Sequence, residues 1–450
     1  MLGTKGHEVI PSARRLIKSL RDMGYDFPQA VSDVVDNSIE AGATHVAINV
    51  VFEGDDSYVR IADNGKGMSP DQLREAMRYG AEREYGQEDL GKFGLGLKTA
   101  SMSQCQCLTV ASRWSTERAK ISSYAWDLDH IADTDRWEIL PIERGALDQA
   151  VVHHLTRSTG TVVVWKRLDR ILGYQQPYGE MARKRLFQMC RDLELHLAMV
   201  FHRFLELHRK RRLSITLNGN DVVPWDPFCR TEKTSSLQPI RLPVNHEGVS
   251  GEILLEPFVL PNQESFSSPL AFKHASGPSG WNQQQGFYIY RADRMIQSGG
   301  WCRLRAADEH LKLARIAIRF PPSLDDAFKI NVAKMRVQLP TGVRDDIETA
   351  IRPVMKLARE AYDKKTKVGL GNVSLAPAIT KPIEPTAQVP VANPATANPA
   401  TGSREAITNS TLPDRTWTID EIQQQCVDFS DMEEKPVIQR VFRRVRDSLK

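Results

Sequence analysis

The stretch that most constrains the fold is a candidate helix over residues 27–42, FPQAVSDVVDNSIEAG. Pro28 suits the first turn of a helix and Gly42 suits its end. Between them, apolar residues at helical spacing predict a face that packs against a core. These residues are Val31, Val34, Val35 and Ile39.

Two polar residues of this helix, Asp33 and Asn37, lie four positions apart and therefore share one face. A carboxylate one turn before a carboxamide can position a water molecule and ligate a hard cation such as Mg²⁺. The alternative is a solvated acidic face that also includes Asp36 and Glu40. The helix alone does not decide between them.

Composition narrows the class of protein. A chain of 450 residues predicts about two or three domains, and its net charge of +4 places any nucleic-acid binding in local basic patches. The 6 cysteines show no zinc-like pairing, which favours reduced structural thiols. Without an apolar run of about 18 residues or a signal peptide, we expect a cytoplasmic protein, nucleoid-associated in a prokaryote.

Periodicity along the chain predicts an α+β protein. Helical patterns come first and strand-like runs follow at hairpin spacing, which favours a mixed sheet under helices over a doubly wound fold. A helical pattern then covers residues 180–212, further strands follow, and residues 345–365 form a closing helix. After Gly371 the sequence becomes rich in Pro, Ala and Thr, which predicts a flexible linker.

Three further signals follow the first helix. A strand ends in Asp63-Asn64-Gly65-Lys66-Gly67, where the carboxylate can accept from an exocyclic amine and the glycines allow close approach to a flat base. Residues 91–96, GKFGLG, open another helix and form an anion site suited to phosphates. Thr161 begins the strand VVVW, where its hydroxyl can help to read the same base. Singly, these segments also fit an ordinary turn, a glycine-rich loop and a strand start.

In this order, the four segments resemble the N-box, the DxGxG base-binding turn, the GxxGxG lid and the terminal Gly-Thr of the GHKL ATPase superfamily. That superfamily includes MutL, type II topoisomerases, the large heat-shock chaperones, sensor histidine kinases and the MORC proteins. The resemblance covers roughly residues 8–340 and implies a Bergerat-fold ATP-binding sandwich, with ATP and Mg²⁺ as cofactors.

The resemblance also implies roles for individual residues. Asn37 would ligate Mg²⁺, and Asp33 would act as the general base. Asp63 would bind the adenine amine, with Thr161 assisting at the base. The other implied nucleotide-contacting residues are Gly65, Gly67, Met68, Gly91, Lys92, Phe93, Gly94, Leu95, Gly96 and Lys98.

A later segment resembles the transducer domain of MutL and gyrase. In residues 328–337, FKINVAKMRV, the resemblance implies that Lys334 reaches the γ-phosphate, although a solvated lysine at a strand start is the alternative. The runs RYGAERE and FGLGLKTASMSQC look closest to prokaryotic MORC-type ATPases. The expected order is an ATP-binding domain (1–175), a connecting helix (176–212), a ribosomal-S5-like transducer domain (213–367), a disordered linker (368–415) and a short basic helical tail (416–450).

One departure from the family concerns Asp33, because many relatives carry glutamate there. The shorter side chain predicts slow hydrolysis, with ATP acting largely as a conformational switch. We therefore expect an ATP-dependent homodimeric clamp in DNA repair, chromosome organisation or restriction-like defence, with a separate effector protein. The alternatives are a chaperone-like remodelling ATPase and an ATP-binding scaffold with negligible hydrolysis.

Basic residues mark the expected client, duplex DNA. Two clusters on the long helical segment suit salt-sensitive phosphate contacts, although an exposed helix face explains them equally well. The clusters are Arg183, Lys184 and Arg185, and Arg209, Lys210, Arg211 and Arg212.

Overall fold

The computed structural model describes residues 10–22, 24–80, 96–115, 120–173, 176–206, 213–330 and 337–371, with side chains as far as residue 364. All of these residues fall within one compact unit, Met1–Leu375. The predicted sites at Gly91–Leu95, Lys334 and Arg209–Arg212 lie outside the described residues, as do the predicted tail and most of the predicted linker.

Several of the described helices begin at a side chain that caps them. Asp26 caps the second helix by accepting from the backbone N–H of Gln29 at 2.9 Å, and Ser69 and Gln72 form a capping box on the third. The helices are α1 (Ala13–Arg21), α2 (Phe27–Glu40), α3 (Pro70–Met77), α4 (Gly96–Met102), α5 (Leu128–Thr134), α6 (Gln149–Arg157), α7 (Glu180–Val200), α8 (His202–Leu205), α9 (Pro269–Ala275), α10 (Trp281–Gln284) and α11 (Arg344–Gly371).

The described strands form two sheets. They are β1 (His45–Val51), β2 (Tyr58–Asp63), β3 (Cys107–Arg113), β4 (Ser122–Asp127), β5 (Leu140–Pro141), β6 (Gly160–Lys166), β7 (Ser214–Leu217), β8 (Asn220–Asp221), β9 (Ser235–Ser236), β10 (Ile240–His246), β11 (Val249–Val259), β12 (Gly286–Arg291), β13 (Arg294–Ser298) and β14 (Ala314–Phe320).

The first sheet has the order β5-β4-β3-β6-β2-β1-β7-β8 and is antiparallel except where β1 meets β7. Side chains alternate between its faces. Val163 and Trp165 of β6 point into the main core with α2 and α7, while Val162 and Val164 pack with α6 on the opposite face. Helix α2 packs against both α4 and α7, which places it centrally on the first face.

The second sheet has the order β10-β11-β14-β12-β13, with β9 pairing to β11. Helix α11 packs on β10, β11 and β14. On the other side, Tyr290 and Met295 of the β12–β13 hairpin share the main buried core with Phe201 and Leu205. The hairpin therefore packs directly against the end of the long helix.

The α+β class and the helical patterns at both ends of the described chain are confirmed. The predicted helix over residues 180–212 is shorter, because α7 ends at Val200 and the short α8 follows it. Strand β7, within the predicted transducer domain, pairs with β1 of the first sheet. The domain boundaries stay predictions. None of the described helices is both long and apolar enough to cross a lipid bilayer.

Candidate active site

Helix α2 carries the acidic residues of the site, and the structure buries them. Asp33 is 3% exposed and Asp36 is 1% exposed, so neither belongs to a solvated acidic face. Oδ2 of Asp33 accepts a hydrogen bond of 2.8 Å from the hydroxyl of Tyr25. Burial, together with the charge of Asp33, raises the pKa of Tyr25, which keeps that hydroxyl protonated and donating.

Asn37 lies one turn after Asp33 and is exposed. Its Nδ2 donates to the backbone oxygen of Asp33 at 2.9 Å, which directs the amide and leaves the carbonyl oxygen as its acceptor group. Gly96, the first residue of α4, approaches the same place, since a Cβ there would lie 3.4 Å from Oδ2 of Asp33. The structure thus brings Asp33, Asn37 and the start of α4 together.

Asp63 forms a second, separate part of the site at the end of β2. Its Oδ1 accepts from the N–H of Gly65 at 2.9 Å and of Thr161 at 3.2 Å, and its Oδ2 accepts from Ser38 Oγ at 3.1 Å. A carboxylate offers about four lone-pair positions. Oδ2 therefore retains acceptor capacity for an exocyclic amine.

Burial raises the pKa of Asp63, and the three hydrogen bonds oppose that shift without cancelling it. The side chain is 6% exposed. An ionised Asp63 consequently costs free energy in the folded state, as is common for a group kept for binding rather than for stability.

Two glycines close the backbone around Asp63. A Cβ on Gly67, at φ +65°, would lie 2.1 Å from the carbonyl oxygen of Arg113. A Cβ on Gly160, at φ +145°, would lie 2.0 Å from the carbonyl oxygen of Asp63. Both positions combine a conformation that favours glycine with contacts that exclude any side chain.

Ser112 is a member of this pocket that the sequence does not indicate. Its Oγ accepts from the N–H of Met68 and donates to the carbonyl oxygen of Gly160, both at 2.9 Å, and lies 3.0 Å from Thr161 Oγ1. Ser112 lies in strand β3, which contains no recognisable motif. The pairing of β3 with β6 brings it to Thr161. It fixes the hydroxyl predicted to assist at the base.

Lys98 lies on α4 with its Nζ directed to the end of α3. It donates to the carbonyl oxygen of Ala76 at 3.0 Å and is 3% exposed. Burial lowers the pKa of Lys98 to about 8, against the opposing charge of Glu75. In this structure Lys98 therefore joins α4 to α3, and its predicted contact with nucleotide stays a prediction.

The second sheet contributes Arg294, which the sequence does not indicate. From the start of β13, its Nε donates to Oδ1 of Asp36 at 2.8 Å, and its Nη2 lies 3.8 Å from Oδ1 of Asp33. All three side chains are buried. A residue 258 positions from its partner leaves no local signal in the sequence.

The donor set fits a magnesium ion that binds with nucleotide. Among the side chains that the structure describes, no group of three His, Cys, Asp or Glu residues is placed to hold a metal. Mg²⁺ in nucleotide sites typically takes one or two protein oxygens and fills its shell with phosphate and water. The exposed Asn37 carbonyl oxygen suits that arrangement.

The predicted DNA-contacting residues on α7 are partly within the described chain. Arg183, Lys184 and Arg185 are all exposed, and Lys184 lies 3.7 Å from the carboxylate of Glu180. Two large apolar residues of the same helix, Met181 and Phe187, are also exposed. The surface is basic and partly apolar, and it is accessible to a partner.

Comparisons with known proteins find sequences similar to part of this chain. Residues 25–161 match the family described as histidine kinase-, DNA gyrase B- and HSP90-like ATPase. The DNA mismatch repair protein MutL of Paramagnetospirillum magneticum is 27% identical over 195 residues, which cover 43% of this chain and 28% of that protein. MutL of Aliivibrio fischeri is 35% identical over 100 residues, covering 21% of this chain and 15% of that protein.

The matched segments thus span less than a third of these relatives. A solved structure, the N-terminal domain of a DNA repair protein, aligns with 80% of this chain and 99% of its own at 16% identity and a TM-score of 0.46. The matched segment contains Asp33 and Asn37 of α2, and also Asp63 and Thr161, which hydrogen bonds join to each other and, through Ser38, to α2. Residues 25–161 therefore carry the sequence of a GHKL-type ATPase domain, and the chain is similar over part of its length to MutL proteins.

Proposed function

We propose that this protein binds ATP with Mg²⁺ and hydrolyses it slowly, and that ATP binding joins two copies into a clamp on DNA. The observation that carries the proposal is that helix α2 is connected to both parts of the site. The helix holds Asp33 and Asn37 directly, and through Ser38 it also holds Asp63. One rigid element thus spaces the adenine-binding carboxylate from the hydrolytic residues.

Each residue has a definite task in this proposal. Asp63 accepts a hydrogen bond from the adenine amine through Oδ2, and the glycine backbone around it admits the flat base. Asn37 ligates Mg²⁺, which would offset negative charge on the phosphates. Asp33 accepts a proton from the attacking water. Because aspartate is one methylene shorter than glutamate, we expect slow turnover.

A first experiment measures ATP turnover and the binding of a non-hydrolysable ATP analogue by the full chain. We expect Asp33→Ala to lose turnover and keep analogue binding, and Asn37→Ala to lose Mg²⁺-dependent binding. Asn220→Ala, on the exposed edge strand β8, is the matched control. Fast turnover that survives Asp33→Ala would exclude Asp33 as the base.

The proposed client is duplex DNA, which the name of the MutL relatives supports. The exposed Arg183, Lys184 and Arg185 would contact phosphates without reading sequence. The process would be DNA repair, chromosome organisation or restriction-like defence in the cytoplasm, with a separate effector, as expected for a MORC-type relative. ATP would shift the population toward the dimer by binding it more tightly than the monomer.

A second experiment tests the clamp by gel filtration with the analogue and by DNA binding at several salt concentrations. We expect an analogue-dependent dimer and DNA-stimulated turnover. Alanine at positions 183–185 should weaken DNA binding and reduce the salt slope by about 3, since each phosphate contact contributes about 0.9. The exposed Arg352 and Lys356 of α11, replaced together by alanine, are the control. No dimer and no DNA response would exclude the clamp.

A further inference from the structure

We propose that Arg294 is a positioning residue of the ATPase site, through which the β12–β13 hairpin holds Asp33 in place for hydrolysis. The inference rests on the proposed ATPase function and extends it. It makes turnover depend on how the second sheet is seated against α2.

The hairpin determines the backbone position of Arg294. Arg291 pairs with Arg294 across a two-residue turn, and both turn residues, Ala292 and Asp293, have positive φ. Two-residue turns with positive φ match the twist of the flanking strands and form a rigid connection. The Cα of Arg294 is therefore set by the hairpin itself.

The hairpin is in turn attached to the helices of the first sheet. Arg203 of α8 lies 3.1 Å from the carboxylate of Asp293, and its guanidinium stacks 3.7 Å from the centre of the Tyr290 ring. The Tyr290 hydroxyl also lies 2.8 Å from Nε2 of His202. These contacts hold the hairpin in a defined position against α8. A movement of the second sheet would therefore move Arg294 relative to α2.

Buried titratable groups on two helices face Arg294. Asp33 and Asp36 face it from α2, and His196 faces it from α7. Burial, and next the charge of Arg294, lower the pKa of His196 to about 4, so this imidazole is neutral at neutral pH. Phe201 adds an apolar wall, with its ring centre 5.9 Å from the guanidinium. Arg294 is thus a cation shared by the two carboxylates.

The two contacts differ in kind. The 2.8 Å contact with Asp36 anchors the guanidinium, whereas the 3.8 Å approach to Asp33 is electrostatic. Without Arg294, two buried carboxylates one turn apart would repel each other. Asp33 would then turn away from its aligned position. Because the efficiency of a general base depends steeply on its placement, turnover should fall.

If Arg294 only stabilised the fold, its loss would lower nucleotide affinity as well as turnover. The adenine pocket around Asp63 has no contact with Arg294 among the described hydrogen bonds and ion pairs, so nucleotide binding should survive its loss. A positioning residue lowers kcat at nearly constant affinity, whereas a general loss of structure lowers both. The split between kcat and affinity therefore distinguishes the two roles.

Arg291 offers a matched control on the same hairpin. It is buried to the same degree, and its Nε donates at 2.8 Å to Asp325, which lies outside α2. Arg291→Gln should cost stability through a broken buried ion pair. It leaves the contact between Arg294 and α2 in place.

The test compares Arg294→Gln, Arg294→Lys and Arg291→Gln in the full chain. For Arg294→Gln we expect kcat to fall at least tenfold while the dissociation constant of the ATP analogue changes less than threefold. Arg294→Lys should recover part of kcat, and Arg291→Gln should keep kcat within twofold. Without nucleotide, amide hydrogen exchange in α2 should rise more in Arg294→Gln than in Arg291→Gln, in which any increase should follow the loss of global stability.

Three results would overturn the inference: turnover of Arg294→Gln within twofold of wild type, a parallel loss of analogue affinity, or an equal loss of kcat in Arg291→Gln. Failure of the proposed function itself is separable from these. It would show in the wild-type chain as absence of ATP turnover, and it would remove the base that Arg294 is proposed to position.

Discussion

Ser38 donates a hydrogen bond from its Oγ to Oδ2 of Asp63 at 3.1 Å, which attaches helix α2 to the end of strand β2. Ser38 directly follows Asn37 on the helix, so the two ends of the site are separated by a fixed length of α2. The Oγ of Ser38 also lies 3.3 Å from the carbonyl oxygen of Val34, one turn earlier. A shift of α2 would therefore move both the base pocket and the hydrolytic residues.

Asp63→Asn should separate binding from stability. The amide retains an acceptor for the N–H groups of Gly65 and Thr161, and its nitrogen can donate to Ser38. The same nitrogen would oppose the adenine amine, because both are donors. We expect affinity for the ATP analogue to fall about 100-fold or more, as when a buried polar pair is mismatched. Isothermal titration calorimetry measures this change.

The stability of the same variant should not fall with its affinity. Because burial raises the pKa of Asp63, the ionised carboxyl destabilises the folded state above the pKa of the unfolded chain. Removing the charge removes that cost at neutral pH. Asp63→Asn should have a thermal midpoint at pH 7 equal to or above that of wild type. A clear drop would show that Asp63 is held mainly for stability.

Gly67→Ala should be far more harmful than an equivalent change at Gly42. At Gly42, φ is +73° and no described atom lies within 4 Å of a new Cβ, so the cost is the backbone strain of about 1–2 kcal/mol. At Gly67 the same strain is joined by a Cβ 2.1 Å from the oxygen of Arg113. Urea unfolding should show the larger loss for Gly67→Ala. Equal losses would contradict the crowding at Gly67.

Much of the fold is local enough to be predicted from the sequence. The apolar spacing of Val31, Val34 and Val35, with Pro28 and Gly42 at the ends, predicts α2, and the structure has it at Phe27–Glu40. Helix α6 and the pairing of β7 with β1 escape such reasoning, because long-range pairing and packing decide them. Periodicity indicates an element, and tertiary contacts decide its neighbours.

The site likewise contains residues that sequence motifs indicate and residues that only tertiary contacts bring into place. Asp33, Asn37, Asp63 and Thr161 stand in short motifs, and the structure groups them around α2 and β2. Tyr25, Ser112 and Arg294 carry no motif, because each acts through side-chain contacts that only the folded chain creates. A buried charge partner on a distant hairpin cannot be inferred from spacing.

Tyr25→Phe should destabilise the protein, whereas Tyr79→Phe should not. The Tyr25 hydroxyl donates to the buried Asp33, and hydrogen bonds to charged groups contribute about 1.5–3 kcal/mol. The Tyr79 hydroxyl is buried with no hydrogen-bond partner among the described residues. Deleting it should be neutral or stabilising. Urea unfolding of the two variants at pH 7 provides the comparison, and equal effects would count against the Tyr25–Asp33 bond.

Lys98 should make stability rise with pH under alkaline conditions. Burial lowers the pKa of Lys98 to about 8, below that of a lysine in the unfolded chain, about 10.4. Between these values the unfolded chain binds more protons, so the free energy of unfolding increases with pH. The increase attributable to Lys98 approaches about 3 kcal/mol at the upper end, since each unit of pKa difference is worth about 1.4 kcal/mol.

The measurement is the difference in unfolding free energy between wild type and Lys98→Met at pH 7.5, 8.5 and 9.5. We expect the wild type to gain relative to the variant as the pH rises, and a constant difference would contradict the buried charge. Repeating the series with saturating ATP analogue tests the predicted nucleotide contact, because a phosphate beside Lys98 would raise its pKa again. The pH dependence should then shrink in the wild type, whereas an unchanged dependence would leave Lys98 as a link between α3 and α4.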